Sequence, residues 1–130
     1  MADADAFFNK ALESLASAED DLTKRRYNAC ARNGYYAAFQ AAVAALIREG
    51  VQPQPGSWGH DFVQAEFQGR LVYRRKMYSS HFRRVLTDLF RSRAEADYTD
   101  RALNRRDSER VLAMARDLVI AVGERVDGSS

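Results

Sequence analysis

ARNGYYAAFQAAVAAL, residues 31–46, is the run whose reading decides the fold. Asn33, Tyr36, Gln40, Val43 and Ile47 recur at 3-4-3-4 spacing, so they share one face of a helix. Gly34, Ala37, Ala38, Ala41 and Ala42 keep the neighbouring positions small and let a second helix backbone come close. A glycine inside a helix costs about 0.5–1 kcal/mol relative to alanine, which gives Gly34 a packing reason. The helix is predicted from about Arg26 to Glu49, ending where Gly50 takes a left-handed C-cap and Pro53 forbids continuation.

Four further helices can be read outward from this one, and no strand-like alternation is sustained enough to compete. The first is expected from Asp5 to Leu22, with Phe8, Leu12, Leu15 and Leu22 as its stripe. Both prolines lie between Val51 and Gly59, a loop that lets the chain reverse before a short third helix from His60 to Gln68. A fourth is expected to start near Ser79 or Ser80, either able to cap it, and to run through Phe82, Val85, Leu86, Leu89 and Phe90 toward Tyr98. The fifth is expected from Asp107 or Ser108, burying Val111, Ala115, Leu118 and Val122 and ending near Gly123. Apolar stripes on helices joined by short polar links must cover one another. The expected fold is therefore all-α, an up-and-down bundle of four to five helices, with one domain over residues 1–126 and a frayed tail at 127–130.

Hydrophobic residues make up 46% and charged residues 29% of the 130, a balance that a disordered chain lacks. MADADAFF carries no basic n-region, and no stretch approaches the roughly 18 apolar residues of a membrane span, so the expected location is the cytoplasm. Cys30 is the only cysteine and there are two histidines, too few for a disulfide framework or a Cys/His zinc site; no metal or cofactor is expected, and Cys30 reads as a small core residue. Charge is uneven. Residues 1–24 hold six acidic and two basic side chains, whereas residues 70–106 hold eleven basic and four acidic ones, a local excess of +7 that suits RNA or an acidic partner as well as a solvated helix face.

The second helix resembles the RxYYAxFHAA segment of small prokaryotic HEPN proteins, a branch that also carries a loop His before a Phe and a later R-x-x-A-D-Y string. Here these stand as YYAAFQAA at 35–42 with Tyr35 and Phe39, as His60 in WGHDF, and as Arg93, Ala96, Asp97 and Tyr98 in RAEADY. The likeness spans about residues 10–122. It implies a four- or five-helix bundle, a homodimer through the signature helix and a nucleotidyltransferase partner encoded alongside in a toxin–antitoxin-like module. For active members it also implies metal-independent RNA cleavage by an arginine and a histidine of that helix.

Aligning YYAAF places Asn33 where the family's Arg stands and Gln40 where its His stands. In such a ribonuclease the His moves protons on the ribose 2′-oxygen and the leaving group, while the Arg stabilises charge on the phosphate. Glutamine cannot titrate near neutral pH, and loss of general acid–base help costs about 10²–10⁴-fold in rate. Arg32 is the adjacent residue, but one position turns it about 100° around the helix. Arg75 and His81 form another Arg-to-His pair outside the matching helix. His60 reads as a structural residue that fixes its loop, and Arg93 and Asp97, one turn apart, read as a pair; the resemblance implies that they and Tyr98 pin the fourth helix against the second.

The leading expectation is a degenerate HEPN protein: a dimeric binding module contacting RNA or nucleotide in a groove of Asn33, Tyr36, Gln40, Arg74 and Arg75. The rivals are a working ribonuclease using Arg32 or the Arg75/His81 pair, and a purely structural interaction module.

Overall fold

The computed structural model describes residues 2–53, 55 and 57–126, and the tail expected to fray, 127–130, lies outside them. Five α-helices appear in the order α1 (Ala2–Thr23), α2 (Tyr27–Arg48), α3 (His60–Glu66), α4 (Val85–Tyr98) and α5 (Arg105–Val126), with no strand among the described residues. None of these helices is long and apolar enough to cross a membrane. The expected all-α helical bundle is what forms.

Helix α2 is the axis of the bundle and packs against α1, α5, α4 and α3. Its small residues explain how one helix can serve four neighbours. Ala31, Ala37, Ala38, Ala41 and Ala42 are fully buried, and a Cβ at Gly34 would lie 2.7 Å from Val111 Cγ1 of α5. The close approach that these residues permit is thus used inside the chain, by α1 and α5, and not kept for a second copy. Cys30 is buried as expected, and burial pushes its thiol up to about 11, so it stays protonated and inert at neutral pH.

The α1–α2 link closes in three residues. Arg26 N donates to Asp21 O at 2.7 Å and Arg25 N to Leu22 O at 3.1 Å, the paired bonds of a Schellman cap, with Arg25 in the left-handed position at φ 63°. The end of α2 repeats the motif with the predicted glycine: Gly50 has φ 83° and Val51 N donates to Leu46 O at 3.0 Å.

Several boundaries differ from expectation, each for a local reason. On α1 the buried line is Ala4, Phe8, Ala11 and Ala18, with Leu15 and Leu22 partly covered, and Leu12 is 45% exposed because the tight α1–α2 contact selects the alanine beside it. The third helix does not stop at Gln68 but continues as a π-helix over Phe67–Arg74, whose wider turn brings Phe67 and Val72 into the core together with Leu71. Ser79 does act as a cap, accepting from His81 N at 3.1 Å, but it caps a 3₁₀ turn at Ser80–Phe82 and α4 proper begins at Val85. The cap of α5 is Asn104, whose Oδ1 accepts from Asp107 N at 2.8 Å while Asp107 Oδ2 accepts from Asn104 N at 3.2 Å, a reciprocal capping pair. Ser108 is therefore not a cap; it is buried and donates to Tyr27 O at 3.0 Å. Helix α5 also runs past Gly123, whose missing side chain leaves room for the Phe8 ring, 2.9 Å from where a Cβ would be.

Candidate functional site

Asn33 and Gln40 of α2 face α1. Asn33 Nδ2 donates to Asp21 Oδ2 at 2.7 Å, and Asp21 is only 5% exposed, its other oxygen accepting from Arg26 Nε at 2.9 Å. Gln40 turns its NH₂ to the same helix, where it donates to Ser14 Oγ at 2.7 Å and Lys10 O at 3.0 Å as well as to Tyr36 O at 3.1 Å; the opposite orientation would set its oxygen against two carbonyls. Both side chains are neutral and both are tied to a neighbouring helix. Neither can move a proton near pH 7.

A second cluster gathers the three sequence motifs into one place. Tyr35 and Tyr36 come from α2, His60 from the first residue of α3, and Phe90, Arg93, Asp97 and Tyr98 from α4. The Arg93 guanidinium carbon lies 5.4 Å from the ring centre of Tyr36, 5.6 Å from that of Tyr35, and 5.9 Å from those of Phe90 and Tyr98. Its Nε is buried without a hydrogen-bond partner among the described residues, 3.5 Å from Asp97 Oδ2. Aromatic faces take the place of the missing acceptor, since a desolvated guanidinium is held by ring quadrupoles. Asp97 Oδ1 is taken by Arg32, with Nε and Nη2 both at 2.8 Å. Arg93 and Asp97 do pair, as expected, but the shorter bond is the one from Arg32, and it joins α4 to α2. Tyr98 is 72% exposed and covers Arg93 from the solvent side rather than wedging the helices.

His60 lies at the centre of this cluster. Its ring stacks on Phe90 with centroids 4.0 Å apart, and Nδ1 is 2.7 Å from the Tyr35 hydroxyl. Burial holds the imidazole below its usual range; Asp61 opposes the shift and the Arg93 charge adds to it. Burial raises the Tyr35 hydroxyl as well, so it remains a donor. Which group donates in the Tyr35–His60 bond is set by the His60 tautomer, and either way Nδ1 is engaged inside the cluster.

The remaining candidates are scattered. Arg74 is exposed and donates to its own Gly69 O at 3.1 Å, while Arg75 Nη1 meets Glu49 Oε1 at 3.1 Å beyond the end of α2. Glu49 lies about 24 Å along the axis from Asn33 at 1.5 Å per residue. The structure therefore does not bring Asn33, Tyr36, Gln40, Arg74 and Arg75 into one groove. His81 is exposed on the 3₁₀ turn against Phe82, and no contact among the described residues joins it to Arg75. Phe39 packs beside Tyr35, ring centres 5.8 Å apart, as part of the core. Sequence reasoning missed the Asp21–Asn33 and Arg32–Asp97 bonds. The one available signal was Asp21 itself, a carboxylate one position ahead of Leu22 in an otherwise apolar α1 stripe.

The model of the HEPN domain matches residues 4–125, nearly the whole chain. The chain belongs to the HEPN family. No curated protein matches it. In this HEPN chain the signature helix is the buried centre of the bundle, and its amide pair and its tyrosine pair serve different neighbours. Asn33 and Gln40 hold α1, whereas Tyr35 and Tyr36 hold α3 and α4.

Proposed function

We propose that this HEPN protein is a non-cleaving binding module, one half of a toxin–antitoxin-like pair with a nucleotidyltransferase, working in the cytoplasm as a homodimer and associating with RNA or nucleotide. The observation that carries the reading is the state of positions 33 and 40: both are neutral amides bonded to α1, where a metal-independent ribonuclease of this kind needs a cation and a titrating group. The partner and the dimer rest on the resemblance to small prokaryotic HEPN proteins. Ala31, Ala37, Ala38, Ala41 and Ala42 are covered within the chain, so a second copy would meet half-buried side chains of α2 such as Arg32 and Tyr36 and not its alanines.

The ribonuclease reading has one observation in its favour, that His60 and Arg93 contact the same two rings, Tyr35 and Phe90. The engagement of His60 Nδ1 with Tyr35 and the stacking of its ring on Phe90 oppose it. Incubating the purified protein with RNA between pH 5 and 9 decides between them, with no cleavage as the expected result. Cleavage with a bell-shaped pH profile, abolished by His60→Ala or His81→Ala, overturns the binding-module reading. Light scattering is expected to give a mass of two chains, and a nucleotidyltransferase encoded beside this chain is expected to co-purify with it on co-expression.

A further inference from the structure

The connection from the π-helix to α4 carries two shallow concavities that adjoin at Ser79 and Ser80. One, of about 380 Å³, is lined by Tyr73, Lys76 and Met77 with the two serines; the other, of about 450 Å³, by His81, Arg83, Arg84 and Asp88 with the same serines. Joined through the shared serines they give a trough with an exposed aromatic lining one part and cations lining both. Tyr73 is 51% exposed. Lys76 and Arg83 make no ion pair or side-chain hydrogen bond among the described residues, and Arg84 reaches Asp88, the one carboxylate of the trough, only at 3.8 Å.

Lys76 adds a second kind of observation. Its backbone is left-handed at φ 51°, held there by Met77 N donating to Leu71 O at 2.8 Å. Glycine would adopt that conformation without the steric cost that a side chain incurs. The chain instead places a cation there, and the turn fixes it at the wall of the trough.

We propose that this trough is a docking surface for single-stranded RNA, with a base stacked on Tyr73 and phosphates met by Lys76, Arg83 and Arg84. The inference rests on the RNA association proposed above and moves the contact away from the α2 amides. Charge alone would suit any polyanion. The exposed ring in the trough favours a strand whose bases are unstacked, because a duplex hides its base faces.

Fluorescence anisotropy of the full chain with a labelled single-stranded RNA of about 12 nucleotides tests this, within the span such surfaces cover. A linear polyphosphate, a duplex RNA and vesicles of anionic phospholipid serve as the other probes. The expected result is salt-sensitive binding of the single strand that falls at least tenfold in Lys76→Glu/Arg83→Glu, with the slope of log affinity against log salt reduced by about 1.4, or about 0.7 for each lost phosphate contact. Tyr73→Ala is expected to lower RNA affinity about tenfold and leave polyphosphate binding unchanged, and Tyr73→Phe to restore it. Helical circular dichroism should be the same for all variants, since these side chains are at the surface.

RNA binding that survives the charge reversal and is lost in Arg32→Ala/Tyr36→Ala overturns this surface and leaves the RNA association intact. Equal losses for RNA and polyphosphate in Tyr73→Ala, or a preference for duplex or for vesicles, overturn the stacking assignment. Absence of any RNA binding at low salt overturns both readings.

Discussion

The two halves of the molecule are held together by different physics. In α1, α2 and α5 the buried apolar contacts are mainly between alanines, glycines and branched aliphatic side chains at close backbone separation, alongside the Asn33 and Gln40 bonds to α1, and the defining dimension is a single methyl: Gly34 has no room for one against Val111. In the segment from His60 to Tyr98 the helices are irregular, α4 fully buries only Val85, Leu86 and Leu89, and the junction with α2 is made by rings, a guanidinium and a shared carboxylate. The first half is intolerant of added volume. The second depends on charge and orientation, and is the half that carries Lys76, Arg83, Arg84 and Tyr73.

The sharpest way to break this contrast is to add volume at the α2–α5 contact. Gly34→Leu places four carbons where even the first would sit 2.7 Å from Val111 Cγ1, and is expected to destabilise by about 3 kcal/mol, at the upper end for overpacked cores. Urea unfolding followed by helical circular dichroism measures it, and Val111→Ala in the same chain should recover part of the loss. An unchanged midpoint for Gly34→Leu would mean that α5 is free to move away and that the tight half is not tight.

Next in size is the removal of the guanidinium from the other half. Arg93→Ala takes a cation from among four rings and is expected to cost about 2 kcal/mol, with Arg93→Lys intermediate because an ammonium keeps the charge and loses the plane. The same unfolding measurement checks both. If Arg93→Lys is as stable as the parent, stacking contributes nothing and a point charge near Asp97 suffices.

A smaller effect is expected from pH. His60 is held below its usual range in the folded state by burial, so between the folded and unfolded values the unfolded chain binds more protons. Its contribution is present in full above about pH 6.5, the ordinary histidine value, and is lost as pH falls through the folded value. Unfolding at pH 7.5 and 5.5 should therefore show lower stability at the acid end, and His60→Gln should flatten that difference. A slope that persists unchanged in His60→Gln assigns the acid sensitivity to another group.

The smallest expected change is a gain. Arg25 holds a left-handed backbone at the cap of α1, as Gly50 does at the cap of α2. Arg25→Gly is expected to raise stability by up to about 1 kcal/mol, because glycine takes positive φ without the steric penalty. A loss on thermal or urea unfolding would mean that the Arg25 side chain contributes more than its strain costs.

Much of the candidate site could be read before any coordinates, but only as separate strings. YYAAF, WGHDF and RAEADY were each visible, and the exchange of both catalytic types for Asn33 and Gln40 was a matter of residue identity. That His60 bonds to Tyr35 and that Arg32 takes Asp97 was not visible, because these pairs are 25 and 65 residues apart and nothing local orients one toward the other. The proposed groove failed for the same reason. Arg74 and Arg75 carry the charge a phosphate site needs, yet Arg75 reaches Glu49 past the end of α2 and Arg74 turns back to Gly69.

Helical periodicity and the punctuation of Gly50 and Pro53 were enough to determine five helices and the all-α class, since both depend on interactions within a few residues. The buried faces of α5 followed from the same period. What only the tertiary structure decided was which neighbour each face of α2 would meet: small residues against α5 and α1, amides against α1, tyrosines against α3 and α4. It also decided the π-helical extension, which no local propensity encodes and which follows from the need to place Phe67, Leu71 and Val72 in one core. Local spacing fixes the direction in which a side chain leaves its helix, and packing against distant segments fixes what it meets there.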